Sequence, residues 1–586
     1  MQIFGRRLPF TPLVICIVLA VIAVIRIVAT YPSISLAYDE PAHIVCGMEW
    51  LDKGTLRLEP LHPPLPRVAA ALGPYLAGAR LPEVKMIAEP GGASFDIYPA
   101  GVEILYTNGR YARNLALARI GELPFFILGV GLVFLWGRSL YGNSGGVLAV
   151  LLYTTLPTVL AFAGIAYVDF ALSVFLPWTV FAFVLWLETP SLKRSLLLGT
   201  AGGLTVLSNL SGLLFLPICL VVTFLCWVFR KKEIQREAGS RYLARAVIAI
   251  AITAFVIWGG YRFSVAPLKK AFAKPAEDVA RLPGPVRPIA RAIINLNPPL
   301  PAPDLFKGIL SSWQQNKKSL PSYALGHVRR GGFWYFYWLD LGLKTPLPFL
   351  ILALAGFYLI LRSPTDWLVL APAASALATL LVLMSVKVDF GIRHILFVYP
   401  FLVVVASTAG VWLWRERTRW PVAAPAFLAV LLVAQIAASL GAHPDYLAYF
   451  NVFGGKAPEE RLLFGCDLDC GQDVGNLVET VRALGISHLH AQLWTSADMQ
   501  RLNLPPFETL PIYQRAGGWI AISLLYLRSG QAIFDGSNPD AYAWLNSYRP
   551  VKTIGKTIRL YQIPDNGYSN SNQTVSPPEQ RSRPPD

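Results

Sequence analysis

Long apolar runs, almost free of charge, alternate along this chain with short basic connections and three longer polar segments. The first run covers residues 13–29, is broken only by Arg26, and follows Arg6 and Arg7. It exceeds the roughly 7–15 apolar residues of a signal-peptide core. It therefore reads as a retained anchor, although Ser35-Leu36-Ala37 resembles a cleavage site. Ten further runs follow, at 123–136, 145–162, 170–187, 196–208, 213–229, 246–258, 346–361, 367–384, 395–414 and 422–440. A helix needs roughly 17–25 residues to cross the hydrocarbon, and most of these approach that length. The pattern predicts a polytopic α-helical membrane protein with about eleven transmembrane helices. The short neighbours 196–208 and 213–229 could instead form one broken hairpin.

Lys and Arg set the orientation. With the N-terminus inside, Arg6, Arg7, Arg138, Lys193, Arg194, Arg230, Lys231, Lys232, Arg362, Arg415, Arg417 and Arg419 all fall in inner loops, as the positive-inside rule asks. Membrane topology then accounts for most of the net charge of +16, and nucleic-acid binding is not needed to explain it. The composition agrees: 54% of residues are hydrophobic and 15% charged, where a soluble domain carries roughly 25% charge. A membrane domain spans 1–440, with outer segments at 30–118 and 262–343. Residues 441–564 read as a small extracytoplasmic α/β domain. Its apolar stretches lie at 461–466, 488–494 and 519–527, with a helical pattern at 474–484. Residues 565–586, rich in Ser, Asn, Pro and Gln, read as a disordered tail.

Candidate chemistry gathers at the outer ends of the spans. Asp39 and Glu40 stand about ten residues past the first run, followed by Pro41 and His43. They fit the cap of a helix, and equally a carboxylate site at the membrane boundary. Residues 42–51 and 68–76 have helical apolar spacing and are expected to lie along the membrane surface. His62 and Arg67 could contact phosphate or simply be solvated. Asp169 sits in a short outer turn between two runs, where a carboxylate so near hydrocarbon is costly. Arg393, with His394, opens another run on that side, and Lys344 precedes one. Arg offers a planar fork suited to phosphate oxygens, and both cations could equally be interfacial anchors. A transporter tends to place its charges near the bilayer midplane, whereas these lie at the outer face. Cys466 and Cys470 are close in an outer domain and could pair as a disulfide.

Several stretches together resemble the GT-C superfamily of polytopic glycosyltransferases, in the branch of the protein O-mannosyltransferases and bacterial lipid A aminoarabinose transferases. They are Asp39-Glu40-Pro41-Ala42-His43, His62-Pro63-Pro64-Leu65, Ala118-Arg119, Val168-Asp169, Leu343-Lys344-Thr345-Pro346-Leu347-Pro348, Gly391-Ile392-Arg393-His394 with Tyr399-Pro400, His443-Pro444-Asp445-Tyr446-Leu447-Ala448-Tyr449-Phe450-Asn451, and Asp467-Leu468-Asp469-Cys470-Gly471-Gln472-Asp473. One departure is Leu207-Ser208-Asn209-Leu210, where related sequences often carry a Lys. The resemblance implies a GT-C fold in a bacterial inner membrane. It also implies a sugar donor linked to polyprenyl phosphate, a protein or lipid/glycan acceptor, and inverting transfer on the extracytoplasmic face. It makes Asp39 the catalytic carboxylate with Glu40 as its neighbour. Arg393, Lys344, His394 and His62 would be donor-phosphate contacts, and Asp169 and His43 the acceptor or second-acid site. Asp39 and Asp169 could hold a divalent cation, Mg or Mn; no other cofactor is implied. Rival readings are an aminosugar transferase, a transporter or flippase of polyprenyl-linked sugars, and an inactive scaffold.

Overall fold

The computed structural model describes residues 10–89, 92–230, 239–271, 279, 284–317, 320–362, 367–462 and 466–564. Arg6, Arg7, Lys231, Lys232 and the expected tail at 565–586 lie outside the described residues.

The chain enters the bundle through α1 (Phe10–Val28). The one charge in this run, Arg26, donates from Nη2 to the carbonyl and hydroxyl of Ser439 at 2.7 and 2.9 Å. Its Nη2 is thus paired inside the protein rather than left in lipid. Four outer helices follow: α2 (Glu40–Lys53), α3 (Pro64–Leu76), α4 (Ile97–Leu105) and α5 (Tyr111–Ile120). The expectation that α2 lies along the membrane surface is not met. Residues Glu40 to Glu49 are all buried, because α3 and α4 cover the helix on both sides. α3 does leave Leu72 and Leu76 exposed.

The helical run α6 (Leu123–Thr154) reverses at Gly142, whose φ of 69° and ψ of −163° suit glycine. Gly137 then packs on the Gly145 carbonyl and Gly129 on the Tyr153 hydroxyl, so the two arms are antiparallel. After the short α7 (Pro157–Phe162) come α8 (Asp169–Glu188), α9 (Leu192–Ser208), α10 (Gly212–Arg230) and α11 (Gly239–Gly260). Residues 209–211 separate α9 from α10 as distinct helices. The membrane part ends with α12 (Phe336–Lys344), α13 (Leu347–Arg362), α14 (Trp367–Leu383), α15 (Val398–Arg415) and α16 (Ala423–Gly441). Among the described residues, seven helical stretches are long and apolar enough to cross a membrane, and α13 and α14 are apolar but shorter. With the second arm of α6 and the 17-residue α9, these account for all the apolar runs of the sequence. The chain is a polytopic helical membrane protein with a C-terminal sheet domain.

That domain is a mixed five-stranded sheet. Its strands are β1 (Leu489–Gln492), β2 (Phe507–Thr509), β3 (Gly518–Ser523), β4 (Lys552–Ile554) and β5 (Ile558–Ile563), in the order β4-β5-β3-β1-β2. β1 runs parallel to both neighbours, and β5 is antiparallel to both of its own. Helix α17 (Val474–Ala483) covers one face with Val474, Leu477 and Val481. Leu524, Tyr542 and Leu545 cover the other. Of the expected apolar stretch 461–466, residues 463–465 lie outside the described residues. The stretch 519–527 is a strand only as far as Ser523, then turns into a helix.

Candidate active site

The segment between α1 and α2 is strapped to the C-terminal domain. Ser35 N–H donates to the Gln472 carbonyl and Tyr38 N–H to that of Cys470, each at 3.0 Å. The Ser496 hydroxyl donates to the Tyr38 carbonyl at 2.7 Å. Asp39 follows directly, at the head of α2, yet its side chain makes no capping bond. Pro41 in the first turn lacks an N–H, which reduces the need for one. The carboxylate turns outward instead. Oδ1 accepts from the Tyr98 hydroxyl and Oδ2 from Arg393 Nη1, each at 3.0 Å.

Glu40 points the opposite way. It is fully buried and takes Arg119 Nε and Nη2 in a two-pronged ion pair at 2.8 Å each. It also accepts the N–H groups of Ala37 and Ala166 at 2.8 and 3.0 Å. With four donors on two oxygens, Glu40 has little capacity left for a substrate proton. It ties the Asp39 loop to the loop that carries Asp169. The sequence expectation of a catalytic neighbour becomes an internal tie.

Asp169 opens α8. Its Oδ1 accepts from Asn209 Nδ2 at 3.0 Å, and its Oδ2 lies 3.8 Å from Arg393 Nη1. One guanidinium nitrogen therefore faces both carboxylates. Asn209 stands in the stretch where the family pattern offers Lys, so a neutral donor supports Asp169 there. Arg393 is itself held by its turn: Nε donates to the Phe390 carbonyl at 3.2 Å, and Ile392 N–H donates to Asp467 Oδ1 at 2.8 Å. Its guanidinium lies 5.3 Å from the centre of the Tyr167 ring. The Tyr167 hydroxyl accepts Asp39 N–H at 3.0 Å and touches both sulfurs of the Cys466–Cys470 disulfide.

Lys344 is not brought to this site. It is buried, and its ammonium donates to the carbonyls of Leu447 (2.6 Å) and Asp467, locking the start of the C-terminal domain to the end of α12. Burial, outweighing the neighbouring Asp467 and Asp340, pulls its pKa down to about 8.

A cavity of about 700 Å³ opens beside Asp39, Asp169 and Arg393. One wall is polar, with His43, Glu59, His62, Arg67 and Tyr98. Another, from α10 and α14 and the residues after α14, is apolar, with Leu214, Phe215, Leu383 and Val386. Arg67 is occupied by Glu59 and by the carbonyls of Glu59 and His62. Burial is the main reason the pKa of His62 falls to about 4. Burial, reinforced by neighbouring cations, likewise holds His43 and His394 well below the ordinary imidazole value. All three histidines line the cavity as neutral rings at pH 7. His62 and His394, expected as phosphate contacts, can offer N–H groups but no charge.

The Asp39–Asp169 pair fits a divalent ion poorly. A guanidinium faces both carboxylates, and a metal there would meet its positive charge at close range. Among the described residues no group of three His, Cys, Asp or Glu is arranged to hold a metal. Sequence reasoning missed Tyr98, Tyr167 and the supporting role of Asn209. Tyr167 lies two residues before Asp169 in the chain, which was its only signal.

Residues 113–258 match the family described as dolichyl-phosphate-mannose-protein mannosyltransferase. No curated protein matches the chain. Among solved structures the chain is similar to ArnT from Cupriavidus metallidurans bound to undecaprenyl phosphate. That match has 13% identity and a TM-score of 0.48, and covers 93% of this chain and 97% of that one. It is also similar to an Archaeoglobus fulgidus oligosaccharyltransferase in complex with Zn and sulfate, at 12% identity, TM-score 0.46, and 94% and 74% coverage. The S. cerevisiae Pmt1–Pmt2 complex bound to its sugar donor matches over 44% of this chain and 34% of that one, at 15% identity and a TM-score of 0.33.

Proposed function

We infer that this chain, a member of the GT-C superfamily of membrane glycosyltransferases, moves a sugar from a polyprenyl-phosphate donor to a protein or lipid/glycan acceptor, with inversion at the anomeric carbon. The site faces the extracytoplasmic side of a bacterial inner membrane, and the one-sided distribution of Lys and Arg supports that orientation. The carrying observation is the carboxylate of Asp39. It makes no capping bond and is held against Arg393 beside a cavity with one polar and one apolar wall.

A polyprenyl phosphate is already a fair leaving group, so no general acid is needed on that side. The acceptor hydroxyl attacks the anomeric carbon, Asp39 takes its proton, and the carbon–oxygen bond to phosphate breaks with its electron pair leaving on the phosphate. Arg393 faces the charge that builds there. Nη1 holds Asp39 and Nε holds Phe390, and Nη2 makes no bond among the described residues. The same guanidinium can thus hold the base and a phosphate oxygen together. Asp169 and Asn209 keep it in place. The residues offer no good seat for a metal, so no step runs through one.

The test is a transfer assay on purified protein in detergent, with radiolabelled polyprenyl-phosphate sugars and membrane-derived acceptors. The expected result is label moved to acceptor by the wild type. A flippase would transfer none, and that outcome would overturn the reading.

A further inference from the structure

His43 sits one turn into α2, is 4% exposed, and lines the cavity. Neither of its ring nitrogens has a hydrogen-bond partner among the described residues. Buried polar groups are normally paired, so two orphaned nitrogens on one ring call for an explanation. The rings of His62 and Tyr167 each meet it in an edge-to-face arrangement, with centroids 5.6 Å away. The charged groups acting on it are Arg67 and Arg393. A neutral imidazole carries one N–H donor and one nitrogen acceptor. A group entering the cavity that both accepts and donates would pair the ring fully.

That requirement selects among ligand groups. A phosphate oxygen would use the N–H and leave the other nitrogen orphaned. An ammonium would use only the acceptor nitrogen, and would do so beside two guanidinium groups. Hydroxyl groups serve both nitrogens. His43 also lines the cavity together with Asp39, Glu59, His62 and Arg67 from the start of α2 and residues 59–67, whereas Leu214, Phe215 and Leu383, which suit a lipid chain, come from α10 and α14. We propose that His43 is a specificity-determining contact of a sugar subsite, reading hydroxyl groups of the sugar being transferred. The inference rests on the glycosyltransferase reading above and narrows it to donors that present neutral hydroxyls at this point, in preference to an aminosugar.

Binding to the full-length protein in nanodiscs tests this. The probes are bare polyprenyl phosphate and the same lipid carrying mannose, glucose, galactose or 4-aminoarabinose. At least one neutral sugar should bind more tightly than the bare lipid. His43→Phe, which keeps an aromatic ring but removes both nitrogens, should lose roughly tenfold of that gain, the usual scale for hydrogen bonds in a buried site. Its affinity for the bare lipid should stay unchanged. His43→Gln, with a donor and an acceptor, should recover most of the gain. The inference fails if the gain survives His43→Phe, or if that variant weakens bare and sugar-bearing lipids alike, as a packing role would. It also fails if the aminosugar lipid gains most, or if no neutral sugar improves on the bare lipid. Failure of the wild type to bind even bare polyprenyl phosphate would instead remove the donor reading, and this inference with it.

Discussion

Asp39 and Glu40 are adjacent in sequence and opposite in role, and substitution separates them. Asp39→Asn keeps the shape and should leave folding intact while lowering transfer on the order of 10²–10⁴-fold, the usual cost of losing a general base. Glu40→Gln leaves the fully buried Arg119 with half a partner, and breaking such a pair costs roughly 3–5 kcal/mol. It should show first as a lower yield of folded protein. Thermal unfolding and turnover measured side by side check both; full turnover in a well-folded Asp39→Asn would make Asp169 the base to seek. A pH dependence follows from Asp469, behind the site, where burial pushes the carboxyl up to about 7. Between roughly pH 4 and 7 the unfolded chain has released this proton and the native state keeps it. Stability should therefore fall as pH rises through that window, by up to about 1.4 kcal/mol per pH unit for this group. Asp469→Asn should flatten that part of a calorimetric melting profile. Asp39, Asp169 and Arg393 were legible because charges beside apolar runs are rare and costly. Tyr98 and Asn209 were not, since their partners lie 59 and 40 residues away and polar residues in loops are common. Lys344 misled for a related reason: a cation at a helix end reads the same whether it meets a phosphate or two backbone carbonyls.

Among the elements, the outer helices are packed closely enough that glycine spacing controls the site. A Cβ on Gly101 of α4 would meet the Pro41 carbonyl at 2.0 Å, within the first turn of α2. Backbone must move to admit it, and overpacking of this kind costs roughly 1–3 kcal/mol. Gly101→Ala should lower transfer through displacement of Asp39, with a smaller effect on the affinity for bare polyprenyl phosphate; equal losses in both would mean general unfolding. Apolar run length made the spans readable, including the two arms of α6. The turn at Gly142 could be bounded only by the polar residues around it. The burial of α2 was hidden, because helical apolar spacing looks alike on a membrane surface and beneath other helices. Short strands far apart in sequence, such as β5 against β3, also lacked a local signature strong enough to place them.

For the molecule as a whole, connectivity puts Asp39, Asp169, Arg393 and the C-terminal sheet at one end of the bundle, and Arg138, Lys193, Arg362 and Arg415 at the other. If the basic end is cytoplasmic, single cysteines placed beyond residue 450 should label from outside intact cells, in a background from which Cys16, Cys46, Cys219 and Cys226 have been replaced. Cysteines beside Arg230 should label only after permeabilisation, and the reverse pattern would invert the topology. The bonds from Ser35 and Tyr38 to Gln472 and Cys470 join residues made early to residues made late. A ribosome emits the first outer loop long before its restraint exists. Until segment 470–496 has emerged and folded, the Asp39 loop lacks its straps, so a growing chain with every span already inserted should still be inactive. Premature stop codons within the sheet domain should therefore yield membrane-resident but inert protein.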